Sequence, residues 1–158
     1  FAAAMKSLQR GLDNPSWADG QRRGMLLAHL ARIAARAGKR SLAIKTLAQL
    51  QRATGLRSTA GCEAQFRLAR AELACADGRH PEAVRLLRAT VSLWVDEGSK
   101  INAAHVRLQL AQVLARAGDL EAAELELSSA QKAFSQMDAA PMIARCENIR
   151  RALLSPQA

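Results

Sequence analysis

Small and apolar positions recur along this chain at a fixed interval. LARIAARAGKRSLAI (30–44), RAELACADGRHPEAV (70–84) and LAQVLARAGDLEAAE (110–124) superpose without a gap, their starts equally spaced. Under that shift Gly38, Gly78 and Gly118 coincide, as do Ala31, Ala71 and Ala111, then Ala43, Ala83 and Ala123, then Leu47, Leu87 and Leu127. Ala35, Cys75 and Ala115 make a further small column, and Leu26, Phe66 and Val106 an apolar one. The pattern predicts helices over 19–37, 41–54, 59–77, 81–96, 99–117 and 120–135. Asp138 and Pro141 are expected to open one more helix, running to about Leu154, with the proline early in its first turn. Asp19, Thr59 and Ser99 occupy equivalent places as predicted N-caps.

Each column has a physical reason. The glycine ends the first helix of a hairpin, where a left-handed residue is needed and glycine adopts it without strain. The alanines on either side of that turn let two antiparallel helices approach closely. The leucine fills the space between one hairpin and the next.

This small–Gly–small spacing resembles the tetratricopeptide repeat over roughly residues 19–137. The family's usual period is about 34 residues, so each helix here is expected to be a few residues longer. HEAT-like repeats have a similar length, but the small-residue columns favour the tetratricopeptide reading. The longer form is similar to the repeats of large bacterial signal-transduction ATPases, of the maltose-activator and LuxR kind, and of repeat-tailed cyclases or kinases. The resemblance implies an all-α fold, a right-handed solenoid of antiparallel helical hairpins. Residues 1–12, FAAAMKSLQRGL, would be the second helix of a preceding, truncated repeat, since Ala3 falls one interval before Ala43. The loop Asp13-Asn14-Pro15-Ser16 would separate it from repeats at 19–57, 59–97 and 99–137. Residues 138–158 would form a closing helix and tail. On this reading the chain is a piece of a larger bacterial regulatory protein.

Composition narrows the classes. Nearly half of the 158 residues are apolar, chiefly Ala and Leu, with 3% aromatic residues and no Tyr, a palette suited to helices. No apolar run approaches the roughly 18 residues of a membrane span. Cys62, Cys75 and Cys146 form no C-x-x-C pair, so three reduced thiols and a cytoplasmic setting are expected. The formal charge is +9 and lopsided: residues 1–88 hold 16 Lys/Arg against 6 Asp/Glu, and residues 89–158 hold 7 against 8. Such a balance is compatible with an acidic partner or with nucleic acid.

No constellation supports catalysis, a metal or a cofactor. Gly38-Lys39 and Gly98-Ser99-Lys100 lack the earlier glycine of a phosphate loop, Ile33 standing in its place for the first. His29, His80 and His105 are dispersed, without metal-ligand spacing. Asp119, Glu121 and Glu124 lie at a helix start, where they favour the helix dipole. Trp94 and Phe134 are expected inter-repeat core, and Trp17 fits no column.

The resemblance implies that first helices line a binding groove. It would present Met25, Ala28, His29, Arg32 and Arg36 from the first repeat, and Gln65, Leu68, Ala69, Glu72 and Ala76 from the second. The third would offer His105, Leu108, Gln109, Gln112 and Arg116. Arg32 stands where a carboxylate clamp would want Asn, so the peptide specificity of the chaperone-binding members is not expected. The expected role is a protein-interaction or sensor module that binds an acidic protein, a peptide or a neighbouring domain of the parent. A nucleic-acid-binding repeat is the alternative, disfavoured because the basic residues are not interleaved with aromatics for stacking. A groove sensing a small molecule is a further alternative.

Overall fold

A computed structural model of the chain describes residues 1–14, 20–54 and 59–154. Every element among them is a helix: α1 (Ala2–Leu12), α2 (Gly20–Arg36), α3 (Arg40–Thr54), α4 (Ala60–Ala76), α5 (His80–Asp96), α6 (Lys100–Arg116), α7 (Leu120–Ser135) and α8 (Ala140–Leu154). From α2 to α7 the bounds follow the expected spans closely at both ends. Asp19 and Trp17 lie outside the described residues. The chain divides into two compact units, Phe1–Arg79 and His80–Ala158.

In the first unit α2 packs against α1, α3 and α4. Its core is made largely of alanine: Ala31, Ala34, Ala35, Ala43 and Ala69 are buried with Leu47 and Leu73, and Met5, Leu42 and Phe66 close the edge. Leu27, Ala28 and Leu50 form a second cluster beside Leu12 and Phe66. Methyl-sized side chains on facing helices bring the two backbones near, so the leucines do the filling and the alanines set the distance. Arg23 ties α2 to α1 by donating to the Leu12 carbonyl at 2.9 Å.

In the second unit α6 is the central helix, against α5, α7 and α8. It buries Ala103, Ala104, Val106, Leu108, Leu110, Ala111, Val113 and Leu114, more of its surface than one amphipathic stripe would cover. Phe134, Leu127 and Ala130 of α7 and Cys146 of α8 are fully enclosed. Trp94 is only half-buried, unlike Phe134 at the equivalent position of the next repeat. The six column alanines, Ala31, Ala43, Ala71, Ala83, Ala111 and Ala123, are all at most 2% exposed.

Five of the helices, α2, α4, α5, α6 and α7, end in one recurring way. At Gly38, Gly78, Gly98 and Gly118 the backbone turns left-handed, with φ of 69°, 72°, 68° and 86°. In each case the glycine N–H donates to the carbonyl three positions back, and the next N–H reaches the carbonyl five positions before itself, as in Lys39 to Ala34 at 2.8 Å. This pair of hydrogen bonds satisfies carbonyls left unpaired at a helix end and reverses the chain sharply. A Cβ on any of the four glycines would meet nothing within 4 Å, so the requirement is conformational and not spatial. Asp138 makes the same turn with φ 51°, its follower Ala139 donating to Phe134 at 3.0 Å. Asp138 therefore closes α7, against the expectation that it opens α8. That helix starts at Ala140, and Pro141 does stand in its first turn.

The N-caps divide. Thr59 accepts from the Cys62 N–H at 3.3 Å, whereas Ser99 caps no backbone group and its hydroxyl instead accepts from the Asn102 amide at 2.9 Å.

Candidate functional site

The ten candidate groove residues fall into two sets, one in each unit. In the first, α2 carries Met25, His29, Arg32 and Arg36, and α4 carries Gln65 and Glu72. Glu72 receives a hydrogen bond from Arg36, and the Arg32 guanidinium lies 3.7 Å from the same carboxylate oxygen. Arg32 and Glu72 keep only 17% and 16% of their side-chain surface exposed, so this cluster is an inter-helix tie as much as a surface. Burial lowers the Arg32 pKa, with Glu72 opposing and Arg36 adding to the effect. The hydrogen bond to Glu72 raises that of Arg36. His29 is exposed on the same helix, and burial of part of its ring together with the Arg32 charge pulls its pKa down. Met25 projects into solvent at 49% exposure. Gln65 is half-buried, and its Oε1 has no hydrogen-bond partner.

A second cluster lies at the turn after α4. Asp77 accepts from Arg40 Nε at 2.8 Å and from a second Arg40 nitrogen at 3.2 Å, while Arg79 donates at 2.9 Å. The two guanidiniums hold the Asp77 carboxyl below its usual range. The basic residues of the first unit are therefore partly committed: Arg32 and Arg36 share Glu72, and Arg40 and Arg79 share Asp77. Each trio leaves one positive charge in excess.

In the second unit α6 carries His105, Gln109, Gln112 and Arg116. His105 stands edge-on to Phe134, ring centroids 5.2 Å apart, its pKa lowered by burial and by Arg145. Gln109 is half-buried. Gln112 and Arg116 join Ala115, Leu120, Ile149, Ala152 and Leu153 around a slot of about 250 Å³ between the ends of α6 and α8 and the start of α7. Four residues expected on the groove surface are core instead: Ala28, Leu68, Ala69 and Leu108 are all buried. They lie on the helix faces that meet neighbouring helices.

The acidic start of α7 is structural. Asp119 accepts from the Ala122 N–H at 3.1 Å, and Glu124 accepts from Arg150 Nε at 2.9 and 3.1 Å. Arg150 also donates to Gln131 at 2.7 Å, tying α8 down onto α7. Arg107 and Glu126 pair between α6 and α7. Among the described residues no group of three His, Cys, Asp or Glu side chains is arranged to hold a metal ion. All three cysteines are free of disulfides. No helix among the described residues is long and apolar enough to cross a membrane.

The architecture matches a solved structure. The chain superposes on the crystal structure of BtubC (BKLC) from P. vanneervenii with a TM-score of 0.76 at 18% sequence identity. The match covers 96% of this chain and 65% of that one, so the chain spans less than two thirds of BtubC. At that identity the likeness to BtubC is one of fold. No protein-family model matches the chain, and no curated protein does.

The division into units sharpens the charge asymmetry. Residues 1–79 hold 14 Lys/Arg against 5 Asp/Glu, an excess of nine, whereas residues 80–158 hold nine of each.

Proposed function

We propose that the chain is an interaction module: a right-handed superhelix of tetratricopeptide-like hairpins that engages an acidic protein surface, or a neighbouring domain of a larger bacterial regulatory protein. The observation that carries this reading is the recurrence of one turn at positions 38, 78, 98, 118 and 138, with buried alanines on both sides of it at 38, 78 and 118. Such regularity is what stacked hairpins require, because no single hairpin can bury its own apolar face. The sequence of α8 supports a closing role. Leu108, Leu110 and Ala111 of α6 correspond, one repeat later, to Asn148, Arg150 and Arg151, polar where a further helix would want apolar side chains.

The charge of the first unit supports an acidic partner. An excess of nine positive charges in so small a unit speeds encounter with an acidic surface without reading bases. The test is titration of the chain with duplex and single-stranded nucleic acid near physiological salt, beside an acidic polypeptide such as poly-glutamate. The expected nucleic-acid affinity is no tighter than about micromolar, the range of non-specific contacts. Tighter binding that disappears in the double variant Arg32→Gln, Arg36→Gln would overturn the protein-partner reading.

A further inference from the structure

The slot at the end of the second unit has the chemistry of a side-chain receptor. Its walls are Ala115, Leu120, Ile149, Ala152 and Leu153, and Leu120 is 56% exposed although it is a large apolar residue. Its polar groups are the Gln112 amide and the Arg116 guanidinium. Arg116 has no carboxylate partner among the described residues, whereas Arg107 and Arg150 of the same unit are both paired. An apolar hollow beside an uncommitted guanidinium favours an apolar group with a carboxylate close by.

Size selects among such ligands. Drug- and cofactor-sized molecules occupy roughly 300–1,000 Å³, and a cavity of about 150 Å³ accepts benzene. The slot, at about 250 Å³, is large enough for one aliphatic or aromatic side chain. Ala115 and Ala152, near the ends of α6 and α8, leave space that larger residues would fill.

We propose that this slot receives a single Leu- or Ile-sized side chain of a partner polypeptide, with an Asp or Glu close to it in that polypeptide meeting Arg116. The proposal rests on the interaction-module reading and adds a second point of attachment, outside the basic first unit.

The test uses the whole chain and two short blocked peptides, identical except that one carries Leu and Glu and the other Leu and Lys. Both are titrated at millimolar concentration and followed by NMR. With the Glu peptide, shifts are expected at the Gln112 side-chain amide, the Arg116 Nε–H and the methyls of Leu120, Ile149 and Leu153. The Lys peptide is expected to shift these signals at least tenfold less. Arg116→Glu should reverse that preference, an outcome that a purely structural arginine would not produce. Ala152→Phe, at an exposed position on the rim, should abolish binding of both while leaving the circular dichroism spectrum unchanged. Shifts confined to the first unit, equal shifts from the two peptides, or none at all would overturn the slot proposal. The first of these leaves the acidic-partner reading standing, so the two fail separately.

Discussion

Replacing Gly118 by Ala isolates the conformational demand of the recurring turn. The residue sits at φ 86°, and a Cβ there would touch nothing within 4 Å, so the substitution adds no clash with the surroundings. What it adds is the left-handed penalty of an L-residue, roughly 1–2 kcal/mol. Alanine also restricts the unfolded chain, which returns about 0.4–1 kcal/mol where the native conformation is compatible and only part of that here. The net expectation is a loss of about 1 kcal/mol, and Gly118→Asn should lose less because Asn tolerates this region. Asp138→Gly is the reverse experiment on the same turn geometry at φ 51° and should be neutral or stabilising by up to about 1 kcal/mol. Urea denaturation followed by far-ultraviolet circular dichroism measures all three. A Gly118→Ala chain as stable as the parent, with Asp138→Gly destabilised, would refute the claim that the turns are held by backbone conformation.

Three further outcomes are expected. Ala83→Leu should destabilise by about 1–3 kcal/mol by overpacking a position that is 0% exposed, measured by the same denaturation; a neutral result would mean that the site is not a close crossing. Glu72→Gln should cost about 1–3 kcal/mol, since it leaves a largely buried Arg32 facing Arg36 without a countercharge, and Arg32→Met should recover part of the loss in the double variant. The histidines set a pH dependence: His29 and His105 have pKa values lowered below the ordinary 6.5, so the unfolded chain binds more protons in the window beneath it. Their contribution is fully present above pH 6.5 and is lost as pH falls toward their folded values, and His29→Gln with His105→Gln should flatten urea midpoints measured between about pH 7 and 5.

How much of the molecule is legible depends on whether a position is defined by residue type or by backbone state. Gly38, Gly78 and Gly118 stand out because one residue type repeats. Gly98 does the same work, but its counterpart in the next repeat is Asp138, so the shared left-handed turn has no shared letter. That mismatch hides the recurrence of the turn at half the repeat interval. In sequence Asp138 reads as a helix opener because Asp is favoured at N-caps, a preference that the turn's two hydrogen bonds override.

The groove residues divide along a similar line. Met25, His29 and Arg116 are exposed, whereas Ala28, Leu68, Ala69 and Leu108 are core. Assigning a face by analogy with a repeat does not say how wide the buried stripe is. On α6, with helices on more than one side, it takes in Leu108 while leaving Gln112 and Arg116 at the edge.

By itself the sequence determined the helices, their lengths and the buried alanine columns, because propensity, glycine turns and alanine spacing act locally or repeat in register. Only the tertiary structure decided which charges are free. Glu72 is remote in sequence from Arg32 and Arg36, as Asp77 is from Arg40, yet each carboxylate holds its guanidiniums. Nothing in the local pattern tells a solvated arginine from one that holds a carboxylate across α2 and α4. The slot beside Arg116 has the same origin, since residues far apart in the chain meet only when α8 lies along α6 and α7. Local rules set the shape of each helix, and packing between helices sets the chemistry of the surfaces they share.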